Sequence, residues 1–456
     1  MKPVGLQDQG FLWLERRNQP MHVAGLQLLT PPKHEPGWLN RMVEMAKNAT
    51  TAHPPFNQRL VRRGGMWFWD EDREFDVESH FHHLALPAPG RIRELLALVS
   101  SLHGNLMDRT KPLWEMYLIS GLEDGRIALY SKIHHALVDG VAANRMLMRQ
   151  MSEDPAVRDL VPLWSMERKK REDGGPPSPF SAMAKAVAMA REQLVSVPKV
   201  AREVVSTIRA RKDPDTVSVF QAPRSILNQR ISGARRFAAQ SYSFKRMRNA
   251  GKALDATVND MALAMCATAL RRYLSELAGL PDKPLVAMVP VSLRRDDSDS
   301  GNQVAMVLAN LATHVADPRE RLAAIVRSMK TSKDRFSRMS QVEILNYLAV
   351  VMAAGGINMA TGLAPKWQAF NIVVSNVPGP KKTLYFNGAR LDGTYPVSIV
   401  LDGQALNITL TSYGDNMEIG LIACRRTLPH MQKLLTYLED ALVEMEELAG
   451  VSSRAA

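Results

Sequence analysis

Between residues 115 and 133 the chain reads as two short β-prone runs, 115–120 and 126–133, separated by the hairpin signal Glu123-Asp124-Gly125. In the second run apolar residues fall on alternate positions, the period of a strand, and the run delivers the chain directly to His134. A different period governs 257–278, where helical spacing, Thr257 as N-cap and Asp260 in the first turn predict a helix. Further strand-like runs occupy 285–291, 371–375, 406–412 and 417–423, the last two joined by Gly414-Asp415-Asn416 as a hairpin. A final helix is expected from about 429 to 448. Residues 1–165 mix strands and helices, with turn signals at Pro54-Pro55, Gly64-Gly65 and Pro87-Ala88-Pro89-Gly90. The fold class is therefore α/β.

At 456 residues the chain exceeds what one core usually organises. A shift to charge, glycine and proline over 168–179 marks a linker. The expected partition is an N-terminal domain over 1–165, a basic linker with a helical segment over 166–222, and a C-terminal domain over 223–456. Within the linker, 181–212 has a helical pattern carrying Lys185, Arg191, Lys199, Arg202, Arg209, Arg211 and Lys212, broken at Pro198. Two readings stand for it: an amphipathic segment lying on an anionic membrane, or a solvated helix between domains. Residues 344–365 carry no charge and approach the length of a spanning helix. Asn346, Asn358, Thr361 and Gly355-Gly356 make them a poor lipid-facing span, so a buried or tunnel-lining helix is expected.

Composition narrows the class. With 46% hydrophobic and 23% charged residues the chain is an ordinary globular one, which argues against both extended disorder and a polytopic membrane protein. Two cysteines, Cys266 and Cys424, make no disulfide framework and match no metal-ligand spacing, and the N-terminus lacks the apolar run of a secretion signal. A cytoplasmic location is the expectation. The net charge of +12 calls for an anionic partner: nucleic acid, a membrane surface or a phosphorylated substrate. Nucleic acid is disfavoured by the lack of RNP-like strands, zinc-finger spacing or basic-zipper heptads. The 25 methionines suit a pocket of adaptable shape but fill ordinary cores equally well.

The chemistry concentrates in His134-His135-Ala136-Leu137-Val138-Asp139-Gly140, which puts two imidazoles at a strand end. A neutral imidazole there can accept a hydroxyl proton at the operating pH. Asp139 is assigned to fixing the turn by pairing with a basic residue, and Gly140 to backbone freedom. No further His, Cys or Glu completes a metal site around the pair. Asn259, in the first turn of the helix at 257–278, is either an oxyanion donor or a capping asparagine. The loop 375–380, with Pro378 and Pro380 around Gly379, either lines a substrate channel or forms a rigid turn.

The segment His134 to Gly140 resembles the HHxxxDG motif of acyl-CoA-dependent acyltransferases of chloramphenicol acetyltransferase-like fold. Pro112-Leu113-Trp114-Glu115, Val258-Asn259-Asp260-Met261-Ala262-Leu263-Ala264 and Ser375-Asn376-Val377-Pro378-Gly379-Pro380 resemble segments of the bacterial bifunctional wax ester synthase/diacylglycerol acyltransferases. So do Phe11-Leu12-Trp13-Leu14-Glu15 and Pro20-Met21-His22-Val23, so the resemblance covers nearly the whole chain. Met261-Ala262 departs from two β-branched residues usual in that family. The resemblance implies two chloramphenicol acetyltransferase-like domains with mixed sheets and an active site in a tunnel at their interface. It implies an acyl-CoA donor, a long-chain alcohol or diacylglycerol acceptor, and no cofactor or metal. His135 would be the catalytic base, with His134, Asp139 and Asn259 beside it in the catalytic group. Gly140, Pro112, Trp114, Ser375, Asn376, Pro378 and Gly379 would bind substrate. The acceptor and product are lipids, so peripheral association with the inner membrane face or lipid droplets is expected; the oligomeric state stays open. A non-catalytic lipid-surface protein of the same fold and a condensation-type acyltransferase are the alternatives. The intact His135, Asp139 and Asn259 speak against the first, and the lack of a carrier-like segment against the second.

Overall fold

The alternating and helical periods read above fold into fifteen strands and eight helices in a computed structural model that describes residues 1–138, 140–167, 205, 216–218, 221–292, 304–340, 342–344, 346–351 and 368–451. The first part of the chain forms β1 (Lys2–Pro3), α1 (Leu6–Leu14), β2 (His22–Thr30), α2 (Trp38–Asn48), β3 (Gln58–Arg63), β4 (Met66–Glu71) and β5 (Phe81–Ala85). There follow α3 (Ile92–Gly104), β6 (Trp114–Ser120), β7 (Ile127–His134) and α4 (Gly140–Arg149). The later part forms β8 (Arg235–Ser243), α5 (Phe244–Ala253), α6 (Val258–Glu276), β9 (Val286–Ser292), β10 (Val304–Asn310) and α7 (Pro318–Ser337). It ends with β11 (Ile372–Val377), β12 (Tyr385–Phe386), β13 (Ala389–Val397), β14 (Leu406–Tyr413), β15 (Asn416–Cys424) and α8 (Lys433–Ala449). The basic segment 181–212 and most of the uncharged stretch 344–365 lie outside the described residues.

Two six-stranded mixed sheets dominate. The first runs β12-β13-β2-β7-β6-β5, antiparallel except for the parallel pair β5–β6. The second runs β10-β9-β11-β14-β15-β8, with β11 parallel to both neighbours. A small sheet, β1-β4-β3, stands apart. The expected mixed α/β architecture is what the structure has. In sequence β12 and β13 fall within 223–456, yet β13 pairs with β2 from Arg390 opposite Thr30 to Val397 opposite Ala24. The first sheet thus takes strands from beyond the boundary expected at residue 223, because the open edge of β2 needs a partner for its backbone.

The largest apolar cluster joins the two sheets. Leu26, Leu28, Tyr117, Ala128 and Tyr130 of the first sheet belong to it, as do Phe237, Ile408 and Leu421 of the second. At its centre α6 is enclosed along Met261–Ala267, every residue of which is buried. Its start is fixed as expected: Thr257 and Asp260 form a reciprocal capping box. Polar bonds knit the same interface. Phe237 N donates to Ser100 Oγ at 2.8 Å, Arg235 Nη2 to the Asn18 carbonyl at 2.6 Å, and Asn18 Nδ2 to Asp402 Oδ1 at 3.3 Å. Because β13 and this core cross the boundary, residues 1–222 expressed alone should give no cooperative thermal transition, and co-expression with 223–456 should restore one; a sharp transition from the isolated piece would show that the first sheet does not need β12 and β13.

Candidate active site

The double histidine sits where β7 ends, and both of its backbone N–H groups are held there. His134 N donates to the Leu113 carbonyl at 3.0 Å and His135 N to the Met21 carbonyl at 2.9 Å. In the ladder His134 stands opposite His22. The chain then turns sharply: Leu137 N and Val138 N reach the His134 carbonyl at 2.9 and 3.3 Å. The His134 ring closes the turn, its Nδ1 accepting the Ala136 N–H at 3.0 Å. With Nδ1 an acceptor, the proton of the neutral ring is on Nε2. Nε2 lies 3.3 Å from Glu15 Oε1, off the direction of a well-aligned hydrogen bond. The His134 ring is wholly buried. His135 is only partly buried, and its ring stacks on Phe11 with centroids 4.1 Å apart. The turn therefore separates the two imidazoles by environment, one locked inside and one at the edge. Asp139 lies outside the described residues.

Below His134, the same face of β7 is unusually polar for a strand interior. Lys132 is buried and pairs with Glu115 at 2.7 Å, and burial lowers its pKa. Tyr130 Oη meets His103 Nδ1 at 2.8 Å, while His103 Nε2 meets the Ser398 carbonyl at 2.9 Å. His22 Nε2 in turn donates to the His103 carbonyl at 2.8 Å. Burial pushes His103 down to about 3 and His22 well below its ordinary value, so both rings are neutral near pH 7. Glu15 behaves oppositely. Burial would raise its carboxyl, but the His134 ring, the Met21 N–H and the Arg109 guanidinium outweigh that and hold it at about 2. Arg109 bonds Glu15 Oε2 through Nε at 3.1 Å and Nη2 at 2.9 Å.

The residues expected beside this turn are not all brought to it. Trp114 is fully enclosed in the core, donating to the Phe56 carbonyl at 2.8 Å and stacking on His80 and Trp164. Pro112 is buried as well, and the segment's link to the site is Leu113, whose carbonyl holds His134. Gly140 opens α4, and a Cβ there would meet nothing within 4 Å; the conformational freedom expected of it is not required, because its φ lies outside the left-handed region. The close approach is at Gly25, where a Cβ would lie 2.9 Å from Leu147 Cδ1, so α4 packs tightly on β2. Asn259 does not cap α6, since Thr257 does, and its Nδ2 is buried with no partner among the described residues. Ser375 and Asn376 are in β11, and Pro378 and Gly379 follow in a loop tied to the β14–β15 hairpin: Gly379 N bonds Ser412 Oγ at 3.1 Å, and a Cβ at Gly379 would lie 2.1 Å from the Ser412 carbonyl. Glu15, Arg109 and Phe11 around the turn carried no assigned role in the sequence reading. Their signal was weak, a carboxylate just after an apolar helix whose partners lie far along the chain.

Comparison with known proteins settles the family. The wax ester synthase/diacylglycerol acyltransferase catalytic domain matches residues 5–262, and the WS/DGAT C-terminal domain matches residues 300–446. The chain belongs to the wax ester synthase/diacylglycerol acyltransferase family. It is 51% identical to the O-acyltransferase WSD of Acinetobacter baylyi over 100% of this chain and 98% of that one. It is 43% identical to a putative diacylglycerol O-acyltransferase of Mycobacterium bovis over 97% and 98% of the two chains. Among solved structures, the wax ester synthase/diacylglycerol acyltransferase from Marinobacter aquaeolei superposes with a TM-score of 0.81 at 47% identity, covering 99% of this chain and 100% of that one. The first condensation domain of the calcium-dependent antibiotic synthetase shares the fold at 14% identity, with a TM-score of 0.59 over 100% and 96% of the chains. By its family this chain is an O-acyltransferase.

The neutral buried histidines of this family member give its stability a definite pH dependence. Between the unfolded value near 6.5 and the folded value near 3, the unfolded chain holds a proton on His103 that the folded one lacks. The contribution is complete above pH 6.5 and is lost as pH falls, at about 1.4 kcal/mol per pH unit for each such group. Glu15 adds a loss below about pH 4.5, toward its folded value of about 2. Denaturant midpoints at pH 7, 6 and 5 should fall steadily in the parent and less steeply in His103→Gln; equal slopes would mean that His103 is not carried neutral in the fold.

Proposed function

We propose that this chain transfers an acyl group from acyl-CoA to the hydroxyl of a long-chain alcohol or a diacylglycerol, with His135 as general base. The observation that carries this reading is the division of labour at the turn: His134 is spent on closing it, and His135 is presented at its edge. The base takes the hydroxyl proton as the oxygen attacks the thioester carbonyl. The tetrahedral oxyanion then collapses, the C–S bond breaks, and the proton passes from His135 to the departing CoA sulfur. No covalent enzyme intermediate is needed, since the thioester is already activated. A developing oxyanion requires fixed donors, and Asn259 Nδ2, freed from capping by Thr257, is the donor assigned here. The space beside Gly140 is assigned to substrate. Asp139 is assigned to holding the turn. Names of the relatives, which speak of wax ester synthase and diacylglycerol O-acyltransferase, support the two acceptor classes. The two substrates would meet in a tunnel between the halves of the molecule, with Ser375, Asn376, Pro378 and Gly379 on the acyl-CoA side.

Peripheral attachment to a membrane or lipid droplet belongs to the same reading, because acceptor and product both partition into lipid. No helix among the described residues is long and apolar enough to cross a membrane. The basic residues of 181–212 would supply reversible attachment, each contributing roughly 1 kcal/mol near an anionic surface.

His135→Ala should lower kcat by a factor on the order of 10² to 10⁴ with the fold intact, as measured with palmitoyl-CoA and hexadecanol by thiol release and ester formation. His134→Ala should cost stability as well, by about 1–3 kcal/mol, because it leaves the Ala136 N–H without its acceptor. A folded His135→Ala variant with near-normal turnover would remove the base from the mechanism. Separately, binding to anionic vesicles should weaken with rising salt, and neutralising Lys199, Arg202, Arg209, Arg211 and Lys212 together should weaken it further. Equal sedimentation of that variant and the parent at moderate salt would leave the segment as an interdomain connector.

A further inference from the structure

We infer that α1 is a positioning clamp for the double-histidine turn, with Phe11 fixing the His135 ring and Glu15 fixing His134. Three consecutive residues of the turn each meet this one helix and the residue after it. Phe11 stacks on His135, with centroids 4.1 Å apart and planes 25° from parallel. Leu12 shares a small buried cluster with Ala136 and Leu113. Glu15, one turn beyond Phe11 and so on the same side, brings its carboxylate to 3.3 Å from His134 Nε2. The helix is itself tied down. Arg109 grips both the Leu12 carbonyl at 2.7 Å and the Glu15 carboxylate, and Glu15 Oε1 accepts the Met21 N–H at 3.0 Å.

The physical effect is on ring geometry. A carboxylate facing Nε2 keeps the His134 proton there, which leaves Nδ1 to hold the Ala136 N–H and so keeps the turn closed. A stacked phenyl ring limits rotation of the His135 imidazole without adding a proton donor or acceptor. Phe11 and Glu15 are thus positioning residues, acting through the histidines.

The rate part of this inference rests on His135 being the base, whereas the geometric part does not. Two measurements separate them: steady-state kinetics with palmitoyl-CoA and a water-miscible alcohol, and nitrogen NMR of histidine-labelled protein, which reports which ring nitrogen bears the proton. Phe11→Leu and Glu15→Gln should each lower kcat on the order of 10-fold while leaving KM for palmitoyl-CoA within about twofold. Phe11→Tyr, which keeps a ring, should lose less than Phe11→Leu. In Glu15→Gln the His134 signal should move away from the pure Nε2–H form. An unchanged His134 signal together with unchanged kcat in both variants would overturn the clamp. A changed signal in Glu15→Gln, alongside near-normal turnover of His135→Ala, would support the clamp and overturn the base assignment alone.

Discussion

A wholly buried imidazole at the end of a central strand must set its ring nitrogens against protein groups, and the arrangement around His134 follows from that. Water is excluded, so Nδ1 takes the Ala136 N–H and Nε2 turns to a carboxylate. That carboxylate, Glu15, is itself buried and needs opposite charge and N–H donors, which Arg109 and Met21 supply. Each requirement recruits the next element: the ring closes the turn after β7, the carboxylate fixes the end of α1, and the guanidinium joins the segment before β6. The neighbouring His135 inherits its position without sharing the burial.

The strand that carries this turn is stiffened from both sides. β2 and β6 flank β7, and β13 completes the ladder beyond β2. On the face of β7 toward the second sheet, Tyr130 and His103 reach Ser398 in the connection between β13 and β14. The polar chain under the double-histidine turn is therefore also an attachment between the halves of the molecule. A shift of one sheet against the other would be felt at His103 and Tyr130, four residues below His134, before it reached the turn.

Sequence reading recovered the elements whose signals are local. The helix at Val258–Glu276 with its Thr257 cap, the hairpin joining β14 and β15, and the strand running into His134 all announce themselves through period, cap or turn residues within a few positions. The ladder between β13 and β2 was not legible, since the partner of an edge strand is chosen by packing and its residues lie more than three hundred positions upstream. The same reason hid Glu15. Its chemistry comes from Arg109 and His134, which nothing near residue 15 indicates. An aromatic residue in a motif is equally suited to a wall or a core, and the sequence could not show that the Trp114 indole N–H bonds the Phe56 carbonyl in the interior. Asn259 is excluded as the cap by competition, because a helix has one cap and Thr257 occupies it.

Adjacent identical residues can serve opposite purposes because a strand end changes direction between them. Along β7 successive side chains alternate between faces, so a histidine at the last strand position points into the sheet's inner layer, as His134 does. The residue after it has left the strand, and its direction is set by the turn. A strand interior fixes a ring but encloses it, whereas His135, just past the strand end, is only partly buried. Phe11, from a separate helix, stacks on the His135 ring there. The cost is carried by His134, whose Nδ1 must stay unprotonated for the turn to stay closed, so the geometry of one histidine depends on the protonation state of the other.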